Sequence, residues 1–166
     1  MSASTGGSTN GEYKKIVLWI CTIAALGGLL FGLDQGFIAN SLETIEKVYH
    51  LGVEGGEQYA AILATGGIVG ALLSGIFARL LGRKRSLILA GFLFSSLSII
   101  SAMLPAFPIL SACRFGLGFA VGIASFIVPL YLSETAPASV RGSMGALFQL
   151  MITIGIFVIA VTNVFI

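Results

Sequence analysis

Two charged residues stand where the surrounding sequence is otherwise suited to lipid. Asp34 closes an uncharged, mostly apolar run over 16–33, and Arg114 separates uncharged stretches over 86–113 and 115–133. A charge near the bilayer centre costs about 2.5–3.5 kcal/mol on insertion scales, so such residues usually pair and face the protein interior. An acid and a base on two different helices form a pair that one proton can switch, which is the chemistry of proton-coupled transport. A purely structural ion pair that fixes one helix against another is the competing reading of the same residues.

Nothing else in the chain is arranged for chemistry of another kind. Cys21 and Cys113 fall in or beside apolar runs, with no ligand spacing and no disulfide framework, and read as small packing residues. Gly116-Leu117-Gly118 sits within an apolar helix instead of following a strand, so a dinucleotide reading fails its context. No cofactor, metal, nucleophile or nucleic-acid partner is expected, and the chain does not read as an enzyme.

The elements that carry Asp34 and Arg114 follow from composition. The chain is 57% hydrophobic and 10% charged with a mean hydropathy of +1.02, outside the range of a soluble domain of this size. Uncharged runs of about 18 residues or more read as spanning helices. Five are expected, at about 16–40, 59–81, 86–104, 109–132 and 142–166, making residues 14–166 an all-α membrane bundle. Residues 1–13, mainly Ser, Thr, Gly and Asn up to Gly11, read as a disordered tail.

Charge placement orients the bundle. Lys14, Lys15, Arg79, Arg83, Lys84, Arg85 and Arg141 all fall on alternate connections, whereas Lys47 shares its loop with Glu43, Glu46, Glu54 and Glu57. The positive-inside rule places the N-terminus and the loops at Gly82 and Pro137 in the cytoplasm, and the acidic loop and the end of the chain outside. His50 lies in that outer loop and reads as solvated.

Glycine marks the packing faces. Gly28, Gly32 and Gly36 recur every fourth residue, as do Gly66 and Gly70, and Gly118 and Gly122; this spacing lets helix backbones approach closely in lipid. At about 100° per residue, Phe31 and Asp34 lie about 60° apart, and Asp34 points well away from the Gly28/Gly32 ridge. Arg114, Gly118, Gly122 and Ser125 share one stripe of the fourth span, which Pro129 is expected to bend. Gln149, Ile152, Thr153 and Ile156 share a face of the fifth. Ile38, Leu42, Ile45 and Tyr49 predict that the first helix continues beyond the membrane with one apolar side.

Three ordered motifs resemble a known family. Gly27-Gly28-Leu29-Leu30-Phe31-Gly32-Leu33-Asp34 is similar to the first-helix signature of the sugar porters of the major facilitator superfamily. Gly82-Arg83-Lys84-Arg85-Ser86 resembles their loop between helices two and three. Arg114-Phe115-Gly116-Leu117-Gly118 resembles the family as well. So do Val128-Pro129-Leu130-Tyr131-Leu132-Ser133-Glu134-Thr135-Ala136-Pro137, Val140-Arg141-Gly142 and Gln149-Leu150. The likeness runs from about residue 16 to 166 and is greatest to the bacterial galactose–proton symporters.

The resemblance implies five transmembrane helices corresponding to helices one to five of a twelve-helix fold. It implies a proton-coupling pair at Asp34 and Arg114, and sugar contacts at Phe31 and Gln149. Ile156 falls where pentose-specific relatives carry a second glutamine, which favours a hexose such as galactose or glucose. Arg83, Glu134 and Arg141 match a cytoplasmic charge cluster that latches the outward-open state. Arg79 departs from the pattern, since the superfamily loop usually has Asp or Asn four residues after its first Gly, here Gly75. The implied function is hexose transport by proton symport in a bacterial inner membrane, as part of a longer transporter whose C-terminal half is missing from these 166 residues. A sugar uniporter, or a non-transporting remnant or membrane subunit, is the alternative.

Overall fold

The computed structural model describes residues 7–103, 106–135 and 141–165. Within them the chain is all-helical: α1 (Gly7–Val48), α2 (Val53–Leu80), α3 (Arg83–Ala102), α4 (Phe107–Thr135) and α5 (Arg141–Phe165). Four are long and apolar enough to cross a membrane, over Val53–Leu80, Arg83–Ala102, Phe107–Glu134 and Gly145–Thr162. The expected span in α1 includes residues up to 26, most of whose side chains lie outside the described ones.

The helix boundaries differ most at the N-terminus. α1 starts at Gly7, so residues 7–13, expected as part of a disordered tail, continue the helix; residues 1–6 lie outside the described ones. Once a helix is nucleated, each Ser, Thr or Asn added to its end costs only a few tenths of a kcal/mol up to about 0.7 kcal/mol. At its other end α1 runs to Val48, and its apolar side meets a partner. Ile38, Leu42, Ile45 and Tyr49 cluster with Tyr59 and Leu110. His50 ends the helix in the left-handed region, with φ 54°, a conformation His adopts more readily than most side chains.

The α2–α3 link is only Leu81 and Gly82. Gly82 has φ 79°, which a side chain would strain. The buried Ser86 hydroxyl secures the turn, lying 3.0 Å from the carbonyl oxygens of Phe77 and Gly82. The α3–α4 link includes residues 104–105, and the α4–α5 link residues 136–140, outside the described set. α4 stays helical through Pro129.

Packing is built on two glycine seams. In the first, Gly66 and Gly70 of α2 lie against the backbone of Phe115 and Phe119, while Gly118 and Gly122 of α4 lie against Leu63, Gly67 and Ala71. In the second, Gly28, Gly32 and Gly36 of α1 face Phe148, Ile152 and Ile159 of α5, and Gly155 faces Leu29 and Leu33. α3 packs on α4, where Ala90, Ile123 and Ile127 form a buried cluster with Phe77 and Phe119. The outer surface is strongly apolar. On α3, Ser86 and Ala90 are buried, while Ile88, Phe92 and Ile99 are each more than 60% exposed. Small residues inside and large apolar ones outside suit a helix solvated by lipid.

Candidate functional site

The second seam decides where Asp34 points. With Gly28, Gly32 and Gly36 turned to α5, the opposite side of α1 carries Asp34 toward Arg114 of α4. Arg114 is 3% exposed, and its Nη1 donates to both Oδ1 and Oδ2 of Asp34 at 3.0 Å. The contact is therefore end-on from one nitrogen. The two-nitrogen fork that makes arginine–carboxylate pairs strongest is not used. Arg114 Nε is buried without a hydrogen-bond partner among the described residues, as is Ser111 Oγ one turn earlier.

A cavity of about 710 Å³ opens beside the pair, within the roughly 300–1,000 Å³ typical of small-molecule sites. Its polar lining comprises Asp34, Arg114, Tyr59 and the hydroxyls of Thr44, Ser95, Ser98 and Ser101; the rest is apolar. Ser95, Ser98 and Ser101 recur every third residue, a polar stripe readable in the sequence of α3 and not assigned a role there. Tyr59 was not legible as a site residue, because nothing in the sequence says that α2 passes beneath Arg114. The guanidinium carbon lies 5.8 Å from the centre of its ring.

The sugar-contact candidates do not join this pair in one cavity. Phe31 lines a second cavity of about 610 Å³, together with Phe148, Ser125, Tyr131 and Lys84; Leu30, Phe94 and Ser95 are common to both. Gln149 is exposed, and so is Ile156, whose backbone lies against Gly36. The face they were expected to share is split. Ile152 packs on Gly32 of α1, while Thr153 turns outward and donates to the Gln149 carbonyl at 3.1 Å.

Of the proposed latch, Arg83 at the start of α3 and Glu134 at the end of α4 form an ion pair, each about 40% exposed. The Arg141 side chain lies outside the described ones, and Arg79 is exposed. Among the described residues no group of three or more His, Cys, Asp or Glu side chains is placed to hold a metal.

Comparison with known proteins places these observations. Residues 20–166 match the profile of the family described as "Sugar (and other) transporter". Over 143 residues the chain is 46% identical to the galactose–proton symporter of Escherichia coli strain K12, covering 86% of this chain and 31% of that protein. It is 43% identical over 145 residues to the arabinose–proton symporter of the same strain, covering 87% and 31%. The structure is similar to that of the proton:xylose symporter XylE of the major facilitator superfamily bound to 6-bromo-6-deoxy-D-glucose. The TM-score is 0.81 at 28% identity, covering 92% of this chain and 38% of XylE. The chain belongs to the sugar transporter family. It is a multi-pass membrane protein that spans about a third of the length of the curated relatives it matches.

Proposed function

We propose that this member of the sugar transporter family supplies helices one to five of a twelve-helix proton–sugar symporter, with α1 as the first span. The observation that carries the reading is the Asp34–Arg114 pair. In an apolar bundle, one carboxylate and one guanidinium face each other across two helices, beside a cavity, in contact through a single nitrogen. Names of relatives such as galactose–proton symporter and arabinose–proton symporter support the same chemistry.

The mechanism follows from charge balance. With Asp34 ionised, Arg114 holds α4 to α1. A proton taken up from outside neutralises the carboxylate, weakens the link and lets the two halves of the complete transporter rock about a site between them. The sugar's hydroxyls must exchange water for protein partners, because a buried unpaired polar group costs about 1–3 kcal/mol. Gln149 offers an acceptor and donors to vicinal hydroxyls, and Phe31 stacks on the apolar face of the sugar ring. Ile156, lacking the polar group of pentose-specific relatives, favours a hexose, galactose or glucose. The Arg83–Glu134 pair, with Arg141, latches the cytoplasmic side in the outward-open state. The N-terminus is cytoplasmic and the membrane is the bacterial inner membrane.

Purified complete transporter in proteoliposomes, with an inward proton gradient and labelled galactose or glucose, tests the reading. Saturable accumulation that collapses with a protonophore is expected; equilibration without accumulation would identify a uniporter. Orientation is tested separately in a Cys21→Ala, Cys113→Ala background. Ser4→Cys and Ser139→Cys should be shielded from an impermeant thiol reagent in intact cells, while Glu54→Cys labels.

A further inference from the structure

Protonation of Asp34 solves one problem and creates another. The carboxylate is the only counter-charge among the described residues lining the cavity, so neutralising it leaves a guanidinium that is 3% exposed with no anion among them beside it. Nε already lacks a partner. A buried cation in that condition is costly unless some other group takes up its charge. Tyr59 is the group in place. Its ring is 2% exposed, and the guanidinium carbon sits 5.8 Å from its centre, within the range of a cation–π contact.

The ring is held from behind. Phe107 meets Tyr59 at 5.9 Å between centroids and Tyr49 at 5.6 Å, and Ile45 and Leu110 close the cluster. Tyr59 therefore cannot swing away when Arg114 moves. The remaining polar groups around the pair are neutral: Thr44 of α1 and Ser95, Ser98 and Ser101 of α3 line the cavity, and Ser111 of α4 is nearby; α5 contributes only Ile159. Glu46 packs against Gly56, a turn of α2 before Tyr59, and is absent from the cavity lining.

We propose that Tyr59 is a positioning residue for the pair, its ring face being the seat that holds the Arg114 guanidinium while Asp34 carries the proton. The inference rests on the reading of Asp34 as proton carrier. The only bond formed is O–H on Asp34, with the proton drawn from the outer aqueous phase. The ring acts more strongly on the freed guanidinium than on the paired one, because the adjacent carboxylate opposes its attraction. Weakening the ring face penalises the protonated state selectively, so more acid is needed to reach it.

The measurement is the pH midpoint of proton-driven sugar uptake by the complete transporter, with sugar exchange at equal concentrations as the control for folding and binding. Tyr59→Leu should move the midpoint to lower pH by about half to one and a half units, and Tyr59→Phe, which keeps the ring, should leave it in place. Fluorinated phenylalanines at position 59 weaken the ring face at nearly constant size, so they keep the test open if Tyr59→Leu does not fold. The midpoint should fall stepwise with the number of fluorines. A midpoint that ignores fluorination overturns the proposal, as does Tyr59→Phe behaving like Tyr59→Leu, which would assign the effect to the hydroxyl. Asp34→Asn separates the two levels: proton-driven accumulation surviving in that variant rejects the coupling pair itself. Loss of accumulation there, with a flat fluorine series, rejects Tyr59 alone.

Discussion

α4 is joined to its neighbours in two different ways. Toward α2 it lies flush, with Gly118 and Gly122 admitting backbone on one side and Gly66 and Gly70 admitting it on the other. Toward α1 it is joined by Arg114 on Asp34 and by Leu110 in the cluster with Ile45, next to a cavity of about 710 Å³. The α1–α5 seam repeats the first arrangement, so the described bundle holds two glycine-sealed pairs of helices, joined by the Asp34–Arg114 ion pair and by the apolar cluster of Ile45, Tyr59 and Leu110. A seam of backbone against backbone offers nothing for a proton or a sugar to change. A single charged contact across a gap does. On the proposed reading of Asp34 and Arg114, rigidity and switching fall on different sides of the same helix.

Breaking the seam should give the largest effect. A side chain at Gly118 has to enter space held by Leu63 and Gly67 backbone, so Gly118→Leu should abolish monodisperse protein on size-exclusion chromatography, in keeping with overpacking costs of about 1–3 kcal/mol or more. Gly91, where an added Cβ meets nothing within 4 Å, is the control: Gly91→Ala should keep or slightly raise the thermal midpoint. Intact folding of Gly118→Leu would mean the seam is looser than its geometry implies.

Removing half of the bridge comes next. Arg114→Leu strands a mostly buried carboxylate and should destabilise by about 3–5 kcal/mol, read from thermal unfolding in detergent. Adding Asp34→Asn to Arg114→Leu should recover part of that loss, since the cost comes from the unpaired charge. Additive losses would show that the two residues do not act as a pair.

The peripheral pairs should matter least for stability. Arg83→Gln or Glu134→Gln removes a partly exposed ion pair and should change stability by no more than about 1 kcal/mol, while a latch role would show as altered cytoplasmic accessibility to a thiol reagent. Glu43→Gln should do less still. The hydrogen bond and charge of Lys47 hold the Glu43 carboxyl below its usual value of 4.5, and Glu43 in turn raises Lys47 above 10.5. The lowered acid contributes above its unfolded pKa and loses that contribution as pH falls through its folded value. The raised amine contributes below its unfolded pKa and loses it as pH rises through its folded value. Between about pH 5 and 10 this pair should therefore give a flat stability profile, and any slope there must come from other groups.

What the sequence disclosed tracks what depends on one helix at a time. The apolar runs, the glycine ridges and the two charges in them are local patterns; the structure packs the ridges into helix seams and pairs the two charges. Which seam a ridge closes is not local: Gly28, Gly32 and Gly36 read as a packing face, but only the fold pairs them with α5. Tyr59 was hidden for the same reason, since its relation to Arg114 spans 55 positions and two helices. The α5 face is divided by packing. Gln149 and Ile156 share a helical side with Ile152, yet close contact at Gly32 draws in Ile152 and leaves the other two exposed. Residues 7–13 were read as disordered from polarity alone, which does not record that a long helix can extend through them.

The account turns on Asp34 as the group whose charge state links proton to sugar. The direct measurement compares Asp34→Asn with the unaltered complete transporter in proteoliposomes, following uphill uptake under an inward proton gradient and exchange of labelled sugar at equal concentrations. The account predicts that uphill uptake disappears while exchange persists, because asparagine fixes the site in a neutral state that binds sugar without carrying a proton. Accumulation by Asp34→Asn that equals the unaltered protein and still collapses with a protonophore would contradict it, leaving the ion pair a structural bridge between the two helix pairs.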